Sequence, residues 1–190
     1  MMLKGIVNAL ISLCLLAYPV LVYLGLSQGY EQQVAWLLAL LLGGRALLAL
    51  RHKAIGNWLL PISAVGLLLV LMALMRGSSL WLQLYPVMVN LIMAITFTLS
   101  LLQKQSMVER FARLQEPQLS AQGVRYTRKV TMIWSAFFVL NGLAASYTVW
   151  LGDVALWTWY NGFIAYVLIG ILAASEWTYR LWLKRQGKLV

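Results

Sequence analysis

The chain has 190 residues, of which 62% are hydrophobic and only 11% charged, and its mean hydropathy is +0.80. A soluble domain of this size carries roughly a quarter charged residues, because a polar shell must cover its core. Fifteen Lys and Arg with five Asp and Glu cannot cover a 21.4 kDa globule, so lipid is expected to solvate most of the surface. The basic excess does not point to nucleic acid, since the charges are confined to the connections, where the positive-inside rule collects them.

A hydrocarbon core about 30 Å thick needs roughly 20 apolar residues in a helix. The first such run is 5–26, holding the single cysteine, Cys14, which reads as a small packing residue. It is too long for a cleaved leader and no small-x-small site follows it, so it is expected to stay as a helix. The second run, 34–50, is interrupted by Arg45 and carries a small-residue row, Ala35, Ala39 and Gly43, which suits packing first and a homo-oligomer second. The third, 58–75, opens with Pro61 in its first turn, where a missing N–H costs little. The fourth, 80–102, has Pro86 near its start; the fifth is 130–151 and the sixth 156–183. Tyr18-Pro19-Val20-Leu21-Val22 echoes Tyr85-Pro86-Val87-Met88-Val89, but the flanks do not follow, and each proline is expected to kink its helix. The expected fold is therefore all-α, an integral membrane bundle of about six transmembrane helices in a single domain.

Loop charge orients it. Segment 27–33 holds Glu31 and no basic residue, and 152–155 holds Asp153 alone. With Arg45 assigned to the other side, every basic residue except Arg76 falls there, so both termini are expected in the cytoplasm of a bacterial inner membrane. Tryptophan prefers the headgroup layer. Trp36, Trp81, Trp150, Trp157 and Trp159 fall at the outer ends of the runs, while Trp58, Trp134, Trp177 and Trp182 fall towards the inner ends.

The long cytoplasmic connection, 103–129, has structure of its own. Ser106 with Glu109 three residues later fits a capping box that would start a helix. Met107, Val108, Phe111 and Leu114 then share one face, Glu109, Arg110 and Arg113 the other, and Glu116-Pro117 ends the pattern. A basic amphipathic helix between helices 4 and 5 is expected to lie at the membrane interface, with Arg110, Arg113, Arg125, Arg128 and Lys129 meeting anionic headgroups.

Polar residues within the spans are costly and therefore informative. Asn90 and Asn141 fall near mid-depth and Asn161 somewhat shallower; they either bond helices together or line a polar path. Glycine beside two of them, in Asn141-Gly142 and Asn161-Gly162, suits close packing. Arg45 lies about 9 Å inside the cytoplasmic boundary. Glu176, at a similar level, is its candidate partner, against the competing Arg180 one turn further on.

Catalysis finds little support. The single histidine, His52, stands between Arg51 and Lys53, and no His-acid pair, CxxC, His-Glu-x-x-His or glycine-rich phosphate loop occurs. Neither a metal nor any other cofactor is expected. An acyl-processing enzyme would need His52 or Glu176 in a pocket. The block Ser106-Met-Val-Glu-Arg-Phe-Ala-Arg-Leu-Gln-Glu-Pro, with Val124-Arg-Tyr-Thr-Arg-Lys-Val-Thr and Trp134-Ser-Ala-Phe-Phe-Val-Leu-Asn-Gly142, resembles a family of small bacterial inner-membrane proteins. Genes of that family often lie in lipid biosynthesis clusters of the aryl-polyene or xanthomonadin type. More distantly the chain is similar to the intracellular septation protein A family, through Trp81, Pro86, a short basic loop helix and Trp-x-x-Phe-Phe, over roughly 76–180. It departs from that family at Gln83 and Tyr160-Asn161-Gly162, where lysines tend to stand. Neither family has established catalytic residues to carry over. The resemblance implies a non-enzymatic accessory or scaffold in envelope or acyl-type lipid biosynthesis or transfer, with membrane lipids and lipid-biosynthesis proteins as partners. The alternative is a small transporter or lipid flippase with a polar path between helices.

Overall fold

The computed structural model describes residues 17–51 and 53–187, with the side chains of 48–60 outside that description. The described residues contain helices and no strand. In chain order these are α1 (Tyr18–Gln28), α2 (Glu31–Arg51), α3 (Lys53–Arg76), α4 (Leu80–Gln83), α5 (Tyr85–Ser100), α6 (Met107–Gln115), α7 (Ala121–Leu151) and α8 (Val154–Trp159). A π-helical turn, Tyr160–Ile164, leads into α9 (Ala165–Arg185). Among the described residues, three stretches are long and apolar enough to cross a membrane: Leu80–Ser100, Ala121–Leu151 and Val154–Arg185. Their most apolar parts are only 22%, 28% and 17% buried, so most of that apolar surface has no protein cover. Helix is the form this demands, because each backbone N–H and C=O in lipid needs a partner within its own segment.

The helices overrun the apolar runs. Hydropathy marks where side chains suit lipid, whereas helical hydrogen bonding continues until a breaker stops it. Thus α3 starts at Lys53, and Pro61 is an interior residue rather than a first-turn one. α7 starts at Ala121, so Arg125, Arg128 and Lys129 stand on a helix and not on an irregular connection. The Ser120 hydroxyl accepts the Gly123 N–H at 3.1 Å and caps that start. The first run, 5–26, is described only from residue 17; Lys4, Cys14, His52 and Lys188 lie outside the described residues.

The chain divides into two compact units. The first comprises the described residues up to Val89 with Leu143–Ile164. Its core gathers Tyr18 and Val22 of α1, Ala35, Leu38 and Leu42 of α2, Val70 and Ala73 of α3, Leu82 of α4 and Trp157 of α8. The spacing of three or four within each helix gives each a single inward stripe. Ala35 of the small-residue row is part of this core and Ala39 packs against it, whereas a side chain at Gly43 would meet nothing within 4 Å. Gly29 (φ 74°) and Gly152 (φ 70°) take left-handed turns that a side chain would strain. Asp153 then caps α8, accepting the Ala155 and Leu156 N–H groups at 2.9 and 3.0 Å.

Two prolines expected to kink spans sit instead in first turns: Pro19 opens α1 and Pro86 is the second residue of α5, after a break at Leu84. Pro86 has no N–H, so the Leu82 carbonyl loses the donor that would stand four residues on. The buried Tyr18 hydroxyl donates to that carbonyl. Beside it, the Trp157 indole N–H donates to the Gln83 carbonyl at 3.1 Å. Tyr18 contacts Tyr85 (ring centroids 4.9 Å) and Trp157 (6.2 Å). The Tyr-Pro echo thus corresponds to two helix starts whose tyrosines touch. Trp157, expected to keep its N–H wet, is instead fully buried with that N–H on a backbone carbonyl. Trp36, Trp150, Trp159, Trp177 and Trp182 are exposed.

The second unit comprises Asn90–Gly142 and the residues from Ala165 onward. Phe97 of α5 meets Phe138 of α7 edge-on, with centroids 5.2 Å apart, and Trp134 and Phe137 extend the aromatic group.

Candidate functional site

In the second unit, α6 is anchored by its first turn. Its N-terminal amides need partners from outside the helix. Hydroxyls of two other helices supply them: Met107 N–H donates to Ser100 Oγ at 2.9 Å and Val108 N–H to Thr131 Oγ1 at 3.2 Å. The helix begins where the capping-box pattern placed it, but the box is not formed. Ser106 makes no side-chain cap bond, and its buried hydroxyl has no partner among the described residues. Glu109 turns to Arg113 instead, whose Nε and Nη2 reach the same carboxylate oxygen at 2.9 and 2.8 Å. That ion pair accompanies a buried carboxylate, while of the expected apolar face Met107 is buried and Val108 part-buried. Glu109 is 3% exposed, while Phe111 and Leu114 of the apolar face are 50% and 81% exposed.

Helical spacing brings one face of α7 against α9. Tyr126 of α7 donates its hydroxyl to the Glu176 carboxylate at 3.1 Å. Arg180, one turn along α9, reaches the same oxygen at 3.7 Å, and Lys184 pairs with Glu116 at the end of α6 at 3.7 Å. Two clefts flank the Tyr126–Glu176 contact. The smaller, about 210 Å³, lies beneath α6 and is lined by Phe111, Ala112, Leu119, Thr127, Arg180 and Lys184 among others. The wider, about 480 Å³, runs along α7 and α9 past Arg125, Lys129, Ile133, Leu172, Tyr179 and Leu183. Tyr126, Val130, Trp134 and Glu176 line both. A cleft with aromatic and aliphatic walls and a few ionised groups suits an amphiphile.

The other candidate residues are distributed as follows. Asn141 Nδ2 donates to Asn90 Oδ1 at 3.0 Å, both residues being buried within the second unit. A side chain at Gly142 would stand 3.1 Å from Asn90 Cβ, so the glycine permits this approach. Asn161, in the π-turn of the first unit, donates to Thr148 Oγ1 at 3.2 Å and to the Trp157 carbonyl at 2.9 Å. Arg45 is a half-buried residue of α2 in the first unit, and the groups bonded to Glu176 are Tyr126 and Arg180. Three of the five cations expected at the headgroups have protein partners: Arg113 with Glu109 and the Pro117 carbonyl, Arg110 with Gln103, and Arg128 with the Leu101 carbonyl at 2.6 Å. Arg125 and Lys129 are exposed and have neither hydrogen bond nor ion pair among the described residues.

Tyr126, Lys184 and Glu116 were not singled out from sequence. Their partners are 50 or more residues away, and no spacing rule reaches that far. Among the described residues no group of three or more His, Cys, Asp or Glu is placed to hold a metal. The chain matches no protein-family model, no curated protein and no solved structure.

Proposed function

We propose that the chain is a six-span bacterial inner-membrane protein with both termini cytoplasmic, acting without catalysis as an accessory or scaffold in envelope or acyl-type lipid biosynthesis or transfer. The topology rests on the asymmetry of basic residues, all but Arg76 assigned to one side. The role rests on one observation above the rest. The two clefts of the second unit combine apolar walls with ionised groups, on residues of the basic 103–129 segment and the inner part of the last helix. An acyl chain needs the first and a charged headgroup the second. The tightly bonded Asn90–Asn141 pair supports a packed interior over a polar path. The resemblance of residues 76–180 to proteins encoded with lipid biosynthesis genes points the same way.

The test combines cells and vesicles. Deleting the gene should change the acyl-lipid profile of the envelope by mass spectrometry, while purified protein in proteoliposomes moves no fluorescent acyl lipid between leaflets. Flux across the vesicle membrane would replace this reading with the flippase, and an unchanged lipid profile would remove the lipid role. A C-terminal reporter fusion should be active in the cytoplasm.

A further inference from the structure

The wider cleft changes character along its length. On α7, Arg125 and Lys129 come first, and Ile133 and Trp134 follow on the same helix face. On α9, Leu172 stands one turn before Glu176. From Arg125 to Ile133 the helix rises about 12 Å. The cleft is thus cationic at one end and apolar at the other. Its volume, about 480 Å³, is that of a site for one small ligand.

Charge decides which ligand. Of the cations lining the two clefts, Arg180 is engaged by Glu176 and Lys184 by Glu116. Arg125 and Lys129 have no such partner among the described residues, although they stand one turn apart on one face. Two adjacent unneutralised cations fit a phosphate. The Glu176 carboxylate in the same lining is already held by Tyr126 and Arg180, which leaves Arg125 and Lys129 as the cations open to a phosphate. The apolar end beyond is of no use to inorganic phosphate and matches an acyl chain.

Building on the lipid reading above, we infer that the α7–α9 cleft binds one phosphate-headed acyl lipid, its phosphate on Arg125 and Lys129 and its chain along Ile133, Trp134 and Leu172. The ligand class is an anionic monoacyl phospholipid or a biosynthetic intermediate of that form.

The experiment uses the full-length protein in phosphatidylcholine nanodiscs. The probe is a lysophosphatidate with a photoactivatable group at mid-chain, with the matching monoacylglycerol as neutral control and inorganic phosphate as competitor. Lysophosphatidate should label peptides containing Ile133, Trp134 or Leu172, and inorganic phosphate should not displace it. Arg125→Gln with Lys129→Gln should weaken half-maximal labelling about thirty-fold, at one surface cation's worth each. Leu172→Trp fills the apolar end, keeps both cations, and should abolish labelling there. The thermal midpoint of each variant, read in the same nanodiscs, establishes folding; if the double variant unfolds, Lys129→Gln and Leu172→Trp decide alone. Equal labelling by the neutral lipid, displacement by inorganic phosphate, or undiminished labelling of the folded variants overturns the inference. Such a failure beside a changed lipid profile in the deletion strain removes the cleft and leaves the accessory role; labelling as expected with an unchanged profile does the reverse.

Discussion

The two units share neutral hydrogen bonding but differ in where ionised groups sit. In the first, the paired groups are neutral: the Tyr18 hydroxyl and the Trp157 indole N–H meet carbonyls around the Pro86 break, and Asn161 bonds Thr148 and the Trp157 carbonyl. In the second, ionised groups are drawn inward, with Glu109 buried beneath Arg113 and Glu176 held between Tyr126 and Arg180. Neutral, mutually satisfied hydrogen bonds stabilise and do little else. Partly buried charges beside open clefts are what ligand recognition needs. The contrast is why the proposed lipid role is placed on the second unit.

The sharpest break in that contrast comes from the ion pairs themselves. Arg113→Ala leaves the buried Glu109 carboxylate unpaired and should lower stability by about 3 kcal/mol in equilibrium unfolding from detergent. Arg180→Ala, at a pair whose members are 39% and 21% exposed, should cost under about 1 kcal/mol. Equal losses at the two sites would mean that Glu109 is not held as the second unit's geometry requires.

Next in size is the proline site of the first unit. Tyr18→Phe removes the side-chain donor to the Leu82 carbonyl and should cost about 1.5 kcal/mol. Pro86→Ala restores an N–H four residues after that carbonyl, so Tyr18→Phe should be milder by about 1 kcal/mol in that background. Additive losses in the double-mutant cycle would break the link between proline and tyrosine. The smallest effect belongs to Asn90→Ala or Asn141→Ala, each expected to lower thermal stability by about 1 kcal/mol and leave the lipid profile intact. A lost function at unchanged stability would shift the chemistry to the asparagines.

Much of this was legible in the sequence, for identifiable reasons. Long apolar runs and local stop signals are one-dimensional, so the all-helical architecture, the start of α6 after Ser106 and its end before Pro117 could be read directly. The asparagines were visible because an amide in an apolar run is conspicuous, although their bonding could not be read there. Helix lengths were misjudged at Lys53 and Ala121, because hydropathy reports lipid contact and not hydrogen bonding. The burial of Glu109 was hidden for another reason. A helical wheel says which residues share a face, but the face that turns inward is chosen by Ser100 and Thr131, seven and more residues away. Tyr126 gave no local signal at all. Its importance comes from Glu176, 50 residues on.

The account stands most directly on whether the α7–α9 cleft is the working part of the protein. A deletion strain carrying either the wild-type gene or Leu172→Trp, each verified at equal membrane abundance, would be compared by mass spectrometry of envelope acyl lipids. The wild type should restore the profile and the cleft-filled variant should leave it as in the deletion. Full restoration by Leu172→Trp would contradict the account.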